Sequence, residues 1–121
     1  MTTRPILVVD DEAASREALA TLHRLNGHAV VTASNGREAL DRLRETEPCV
    51  ILLDYVMPIM DGRAFREAQK ADPRWAHIPV VLLTALPEED FDALAVLQKP
   101  VTYEILAPLL RACEGLSRES R

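Results

Sequence analysis

Cysteine is nearly missing from this 121-residue chain, which holds only Cys49 and Cys113. Two are too few for a disulfide framework, and Cys49, opening an apolar run, reads as a small buried hydrophobe. No run of basic residues occurs and the net charge is -5, which argues against nucleic acid as a direct partner, because phosphate binding needs a cationic surface. No apolar stretch approaches the roughly 20 residues of a membrane span. The start, Met1-Thr2-Thr3-Arg4-Pro5, carries no signal-peptide core before Asp10 and Asp11. Internal repeats and linkers are also missing. These absences leave one soluble, cytoplasmic domain over 1–121, with a core from about 4 to 116, long enough for one substantial hydrophobic interior.

What is present is a series of short apolar runs, each ending in a polar residue. Ile6-Leu7-Val8-Val9 runs into Asp10-Asp11-Glu12, and Val50-Ile51-Leu52-Leu53 runs into Asp54. Ile78 to Leu83 runs into Thr84, and Ala95 to Gln98 into Lys99, one of only two lysines beside Lys70. Runs without alternation suit strands buried on both faces, as in a parallel sheet. His28 to Thr32 is a weaker second strand.

Helical spacing fills the gaps. Ala14, Ala18, Leu19, Leu22 and Leu25 mark a helix over Ala13 to Leu25, stopped by Asn26-Gly27. Ser34-Asn35-Gly36 caps a helix over Arg37 to Glu45 with Ala39, Leu40 and Leu43 inward. Asp61 and Gly62 open a third helix to Lys70, Pro87 to Leu94 reads as a brief fourth, and Thr102 caps a fifth reaching about Leu116. The segment 117–121 is a polar tail. His23 and His28 have no ligand partner at metal spacing and read as surface or boundary residues. The order is βα five times, an α/β fold whose short right-handed crossovers force a parallel sheet with helices on both faces.

A parallel sheet brings the carboxyl ends of its strands to one edge, where ligands bind. Asp10, Asp11, Asp54, Thr84 and Lys99 should therefore converge. One acid after the first strand could cap a helix, but three adjacent acids repel unless a cation sits among them. Oxygen-only ligation suits a hard divalent ion such as Mg²⁺. With that charge neutralised, Asp54 can attack phosphorus, Lys99 can hold a second phosphoryl oxygen and the Thr84 hydroxyl a third. Phosphoryl transfer asks mainly for such positioning and neutralisation.

Taken together, Val8-Val9-Asp10-Asp11-Glu12, Asp54-Tyr55-Val56-Met57-Pro58-Ile59-Met60-Asp61-Gly62, Leu83-Thr84-Ala85 and Lys99-Pro100 resemble the receiver domain of two-component response regulators over almost the whole length. The resemblance implies a flavodoxin-like, CheY-like fold. It implies Asp54 as acceptor of a phosphoryl group from a histidine kinase or phosphotransfer protein. It further implies Mg²⁺ or Mn²⁺ held by Asp11, Asp54 and the Val56 carbonyl, with Asp10 reaching the ion through water, and Thr84 and Lys99 on the phosphoryl oxygens. Thr84 would move when those oxygens arrive, a local charge event biasing a two-state element. A receiver is not a turnover enzyme. It would signal by contact with a downstream protein or relay the group, unless the chain is cut from a longer protein. The rival is a degenerate receiver that binds constitutively and is never phosphorylated.

Three departures from the family fall on one face. Thr84 to Lys99 is shorter than usual by roughly seven residues, about two helical turns, which makes the fourth helix a stub. Val96 stands where the family has its switch aromatic and reads as strand core. Pro108 lies inside the last helix and implies a kink or a late start. Val56 and Leu86, two residues beyond Asp54 and Thr84, are apolar and cannot orient water, so a slowly hydrolysing phosphoaspartate is expected.

Overall fold

The strands are organised by burial. In a computed structural model, residues 4–55, 57, 59–85 and 91–110 are described. They form β1 (Ile6–Val9), α1 (Ala13–Leu25), β2 (Val30–Ala33), α2 (Gly36–Glu45), β3 (Val50–Asp54), α3 (Gly62–Ala71), β4 (Val80–Thr84) and β5 (Ala95–Gln98), then a last helix over residues 103–110. The strand order is β2-β1-β3-β4-β5 and every pairing is parallel. This is the flavodoxin-like arrangement, with its switch point between β1 and β3.

Every residue of β1, β3 and β4 is buried, as central strands covered on both faces require. Alternate side chains enter opposite cores. Leu7, Val9, Ile51 and Leu53 join Ala39, Leu43 and Phe65 beneath α2 and α3. Ile6, Val8, Val50 and Leu52 join Leu106 and Leu110 of the last helix, with Leu19 of α1 at the margin. A fully buried aliphatic side chain stabilises by about 1.5–3 kcal/mol, so a one-residue register slip, which exchanges the two faces, is strongly disfavoured.

The caps follow from local chemistry. Asn35 accepts from the Glu38 amide at 2.8 Å and Asp61 from the Ala64 amide at 2.9 Å, each opening a helix. Gly27 closes α1 at φ +89°, with His28 N–H donating to the His23 carbonyl at 3.0 Å.

Several expectations need correction. β2 begins at Val30 rather than His28, and β4 at Val80 rather than Ile78, because the Ile78 amide closes a turn onto the Trp75 carbonyl at 3.0 Å. Asp54 and Thr84 are the last residues of their strands, not residues beyond them. Residues 91–94 are not helical, and the Leu94 amide bonds to the Val80 carbonyl at 2.8 Å, feeding directly into β5. The rest of the expected fourth helix, with Leu86, lies outside the described residues, as do Cys113 and the end of the last helix. That helix already runs at residue 103, so Pro108 does not mark a late start.

The inward face of α1 also differs. Ala20 and His23 are buried, whereas Leu25 is 79% exposed and Ala14 and Ala18 are exposed. His23 is therefore a core residue, not a boundary one. Its ring lies 5.4 Å from that of Tyr103 and 6.1 Å from that of His28. Neither ring nitrogen has a hydrogen-bond partner among the described residues. Burial, then the neighbouring His28, lowers the His23 pKa to about 4, so the ring is neutral at pH 7. Cys49 is buried as expected, but its sulfur is disulfide-bonded rather than a free thiol. Val96 is half-buried against the core beneath α2 and α3, consistent with strand packing.

Candidate functional site

The carboxyl ends of β1, β3, β4 and β5 meet as the parallel topology requires. Asp10 follows β1, and its amide continues the ladder onto the Ala33 carbonyl at 3.1 Å. Asp10 is 3% exposed and Asp54 9%, whereas Asp11 is exposed. One oxygen from each of these three carboxylates lies within 4.8 Å of the other two. Lys99 arrives from the end of β5, with its amide bonded to the Thr84 carbonyl at 2.7 Å. Its Nζ donates to Asp54 Oδ1 at 3.0 Å and stands 4.0 Å from Asp10 Oδ2. The Lys99–Pro100 peptide is cis. Thr84 is buried one position past Leu83, the register partner of Asp54. All five expected side chains thus lie on one edge. The Val56 carbonyl lies outside the described residues.

The electrostatics follow from this crowding. Burial raises the Asp54 pKa above the usual carboxylate value, Lys99 opposes the rise through its hydrogen bond and charge, and Asp10 and Asp11 add to it. Lys99 loses hydration, which favours its neutral form. Its hydrogen bond to Asp54 and the three negative charges outweigh that loss, so its pKa is raised. Three carboxylates face one ammonium, an excess of two negative charges. Oxygens bound to one octahedral Mg²⁺ at about 2.1 Å lie about 3.0 Å apart when adjacent and about 4.2 Å when opposite, so carboxylates within 4.8 Å of one another need to close by at most about 2 Å, a side-chain rotation, to share such an ion. The donor set, all oxygen and doubly negative in excess, fits a hard divalent cation.

Two backbone features hold the edge together. A Cβ on Gly62 would stand 3.0 Å from the Asp54 carbonyl oxygen and 3.1 Å from Tyr55 Cα. The bare backbone of Gly62 lets α3 start against the end of β3, and its amide bonds the Tyr55 carbonyl at 2.9 Å. Tyr55 stacks edge-on against Phe91 at 5.9 Å, with the Arg63 guanidinium over both rings. Ile59, in the loop between β3 and α3, is 79% exposed at φ +67°, a left-handed conformation that a β-branched residue adopts only under strain.

The alternative reading, that an acid after β1 merely caps α1, is not what the structure shows. The N-cap is Glu12, whose side chain makes no cap hydrogen bond. Instead Asp10 Oδ1 accepts the Glu12 amide at 2.9 Å, and the Arg16 guanidinium donates to the Asp10 carbonyl at 2.9 Å. Arg16 was not legible as a site residue, because a side chain reaching back six positions to a carbonyl leaves no spacing motif. The only signal was an arginine placed one turn into a helix that follows a run of acids.

Beside this edge lies an open groove of about 530 Å³ between α1 and the turn after β5, with Ala18, Leu19 and Leu22 on one wall and Lys99, Pro100 and Val101 on the other. No helix among the described residues is long and apolar enough to cross a membrane.

Known proteins resemble this chain in sequence and in fold. The family described as the response regulator receiver domain matches residues 6–109. The chain is 42% identical over 83 residues to a probable transcriptional regulator, ycf27, of Porphyra purpurea, covering 69% of this chain and 33% of that protein. It spans about a third to a half of the length of such curated relatives. Among solved structures, the chemotaxis protein CheY4 of Vibrio cholerae is 28% identical with a TM-score of 0.84, covering 93% of this chain and 99% of that one. The receiver domain of sensor histidine kinase PA1611 from Pseudomonas aeruginosa, solved with magnesium coordinated in its active-site cleft, is 21% identical with a TM-score of 0.85, covering 94% and 99%; it shares the fold. The family match over nearly the whole described chain and the acids gathered at the sheet edge place this chain in the response regulator receiver domain family of two-component signalling.

Proposed function

We propose that Asp54 accepts a phosphoryl group from a histidine kinase or a histidine phosphotransfer protein. The observation that carries this reading is the 3.0 Å bond from Lys99 to Asp54 within a cluster of three carboxylates. An Asp54 carboxylate oxygen attacks phosphorus while the bond from phosphorus to the donor imidazole nitrogen breaks, and that nitrogen keeps the electron pair. Lys99 turns from Asp54 Oδ1 to a phosphoryl oxygen, and the Thr84 hydroxyl donates to another. Asp11 and Asp54, with the Val56 carbonyl, would hold Mg²⁺ or Mn²⁺, and Asp10 would reach it through water. When bound, the ion neutralises charge that builds on the transferring group.

The groove beside Lys99 gives a donor helix an apolar approach from the α1 side. Partners are proteins: the donor and a downstream target in the cytoplasm. The excess of acid over base argues against nucleic acid contact by these residues, and the transcriptional role named for the ycf27 relative belongs to a protein of which the match covers only 33%. With Val56 and Leu86 apolar, the phosphoaspartate hydrolyses slowly and the chain acts as a switch rather than a turnover enzyme. A constitutive binding module would have no use for an acid cluster that destabilises the folded chain.

Incubation with acetyl phosphate and Mg²⁺, read by intact mass, tests this. One added phosphoryl group, lost in Asp54→Asn, is expected. No mass gain by the wild-type chain would instead favour the degenerate receiver.

A further inference from the structure

We propose that Arg16 is a positioning residue that fixes the Asp10–Asp11 peptide so that the Asp11 carboxylate faces the ion site. This rests on reading the acid cluster as a Mg²⁺ site.

Asp10 is held at three points. Its amide bonds the Ala33 carbonyl of β2, its Oδ1 takes the Glu12 amide, and its carbonyl takes the Arg16 guanidinium. Only Oδ2 remains, 4.0 Å from Lys99. Asp11 is held at none: it is exposed, and among the described residues none donates a hydrogen bond to its carboxylate. Its direction is therefore set by the peptide plane that joins it to Asp10, and the oxygen of that plane is the one Arg16 binds.

The rest of the turn offers little else. The N-cap side chain of α1 makes no cap bond, and the first turn holds no acid to complement the helix dipole. Arg16 is well placed for the task. Its amide bonds the Glu12 carbonyl at 2.9 Å, its side chain is only 19% exposed, and Glu17 lies 3.7 Å from its Nε. Freed from Arg16, the peptide can rotate and carry the Asp11 carboxylate toward water, leaving two acids for the ion.

The sign of the effect separates positioning from simple charge. A cation near a metal site repels the metal, so if Arg16 acted only through charge, removing it would tighten Mg²⁺ binding. Positioning requires the opposite. The experiment is calorimetric titration of the 121-residue chain with MgCl₂ and no phosphodonor. Arg16→Met keeps the apolar stem and is expected to weaken binding about tenfold, the usual scale for a group that orients a ligand. Arg16→Lys keeps one donor and falls between wild type and Arg16→Met. In the metal-free protein, the Glu12 amide should exchange faster in Arg16→Met while the thermal midpoint stays close to wild type. Unchanged or tighter binding by Arg16→Met overturns the role of Arg16. No binding by the wild-type chain overturns the magnesium reading itself, which is a separate result. Should Arg16→Met not fold, Arg16→Lys decides: weaker binding supports positioning and unchanged binding refutes it.

Discussion

Replacing Asp54 with asparagine should make the metal-free protein more stable while removing the carboxylate proposed to accept the phosphoryl group. At an effective dielectric of about 20, charges 4.8 Å apart interact by about 3.5 kcal/mol and charges 3.0 Å apart by about 5.5 kcal/mol. Asp54 meets two acids within the larger distance and one ammonium at the smaller. The repulsions therefore exceed the attraction by about 1–2 kcal/mol, before the cost of burying the carboxylate is added. Solvent around exposed Asp11 screens part of this, so a gain of about 1 kcal/mol is the working figure, or roughly 3–8 °C in the thermal midpoint of a domain this size. The assay is thermal unfolding of both chains at pH 7 in EDTA and low salt. The pH dependence has a definite sign. The Asp54 pKa is raised in the folded state, so its contribution to stability is greatest in acid and is lost as pH rises through the folded value. The gap between variant and wild type should therefore shrink as pH is lowered through that range. Adding saturating Mg²⁺ should also close it, because an ion that binds only the folded cluster stabilises in proportion to RT ln(1 + [L]/Kd). A variant that melts at or below wild type in EDTA would refute the argument that the cluster is held against repulsion.

Gly62→Ala should destabilise by about 1–3 kcal/mol in urea unfolding, because the new methyl meets the Asp54 and Tyr55 backbone rather than a movable side chain. Ile59→Gly should stabilise by up to about 1 kcal/mol in the same assay, since little packing is lost and the left-handed backbone is relieved. His23→Leu should be neutral or stabilising at pH 7 by chemical denaturation, as it removes a buried ring with unpaired nitrogens. His23 binds fewer protons folded than unfolded. Its contribution is therefore complete above the unfolded pKa of 6.5 and falls toward about 4, so the wild type should lose stability over that window and His23→Leu should lose less.

The sheet was legible because its central strands are buried on both sides and so spell uninterrupted apolar runs; β5 and α1 fall where the pattern put them. The site was legible for the same reason, since each run ends in the residue that reaches the edge. Long-range physics hid the rest. A hydropathy pattern counts His23 as polar and Leu25 as apolar, yet the direction of α1 across β1 buries the first and exposes the second. Pro87 to Leu94 read as a short helix, but residues 91–94 are not helical, and the Leu94 amide bonds the Val80 carbonyl instead. Arg16 acts through a backbone atom, and no choice of residue type at that carbonyl can announce the contact.

Trp75 is the only tryptophan in the chain. It is buried between the guanidinium groups of Arg44 and Arg74, beside Leu43 and Ile78 at the amino-terminal end of the sheet. Its fluorescence therefore watches the wrong pole: it will follow global melting faithfully and stay nearly silent when the acid cluster is occupied. The optical reporter of occupancy is Tyr55, one residue from Asp54, whose emission can be isolated once Trp75 and the other tyrosine, Tyr103, are both replaced by phenylalanine.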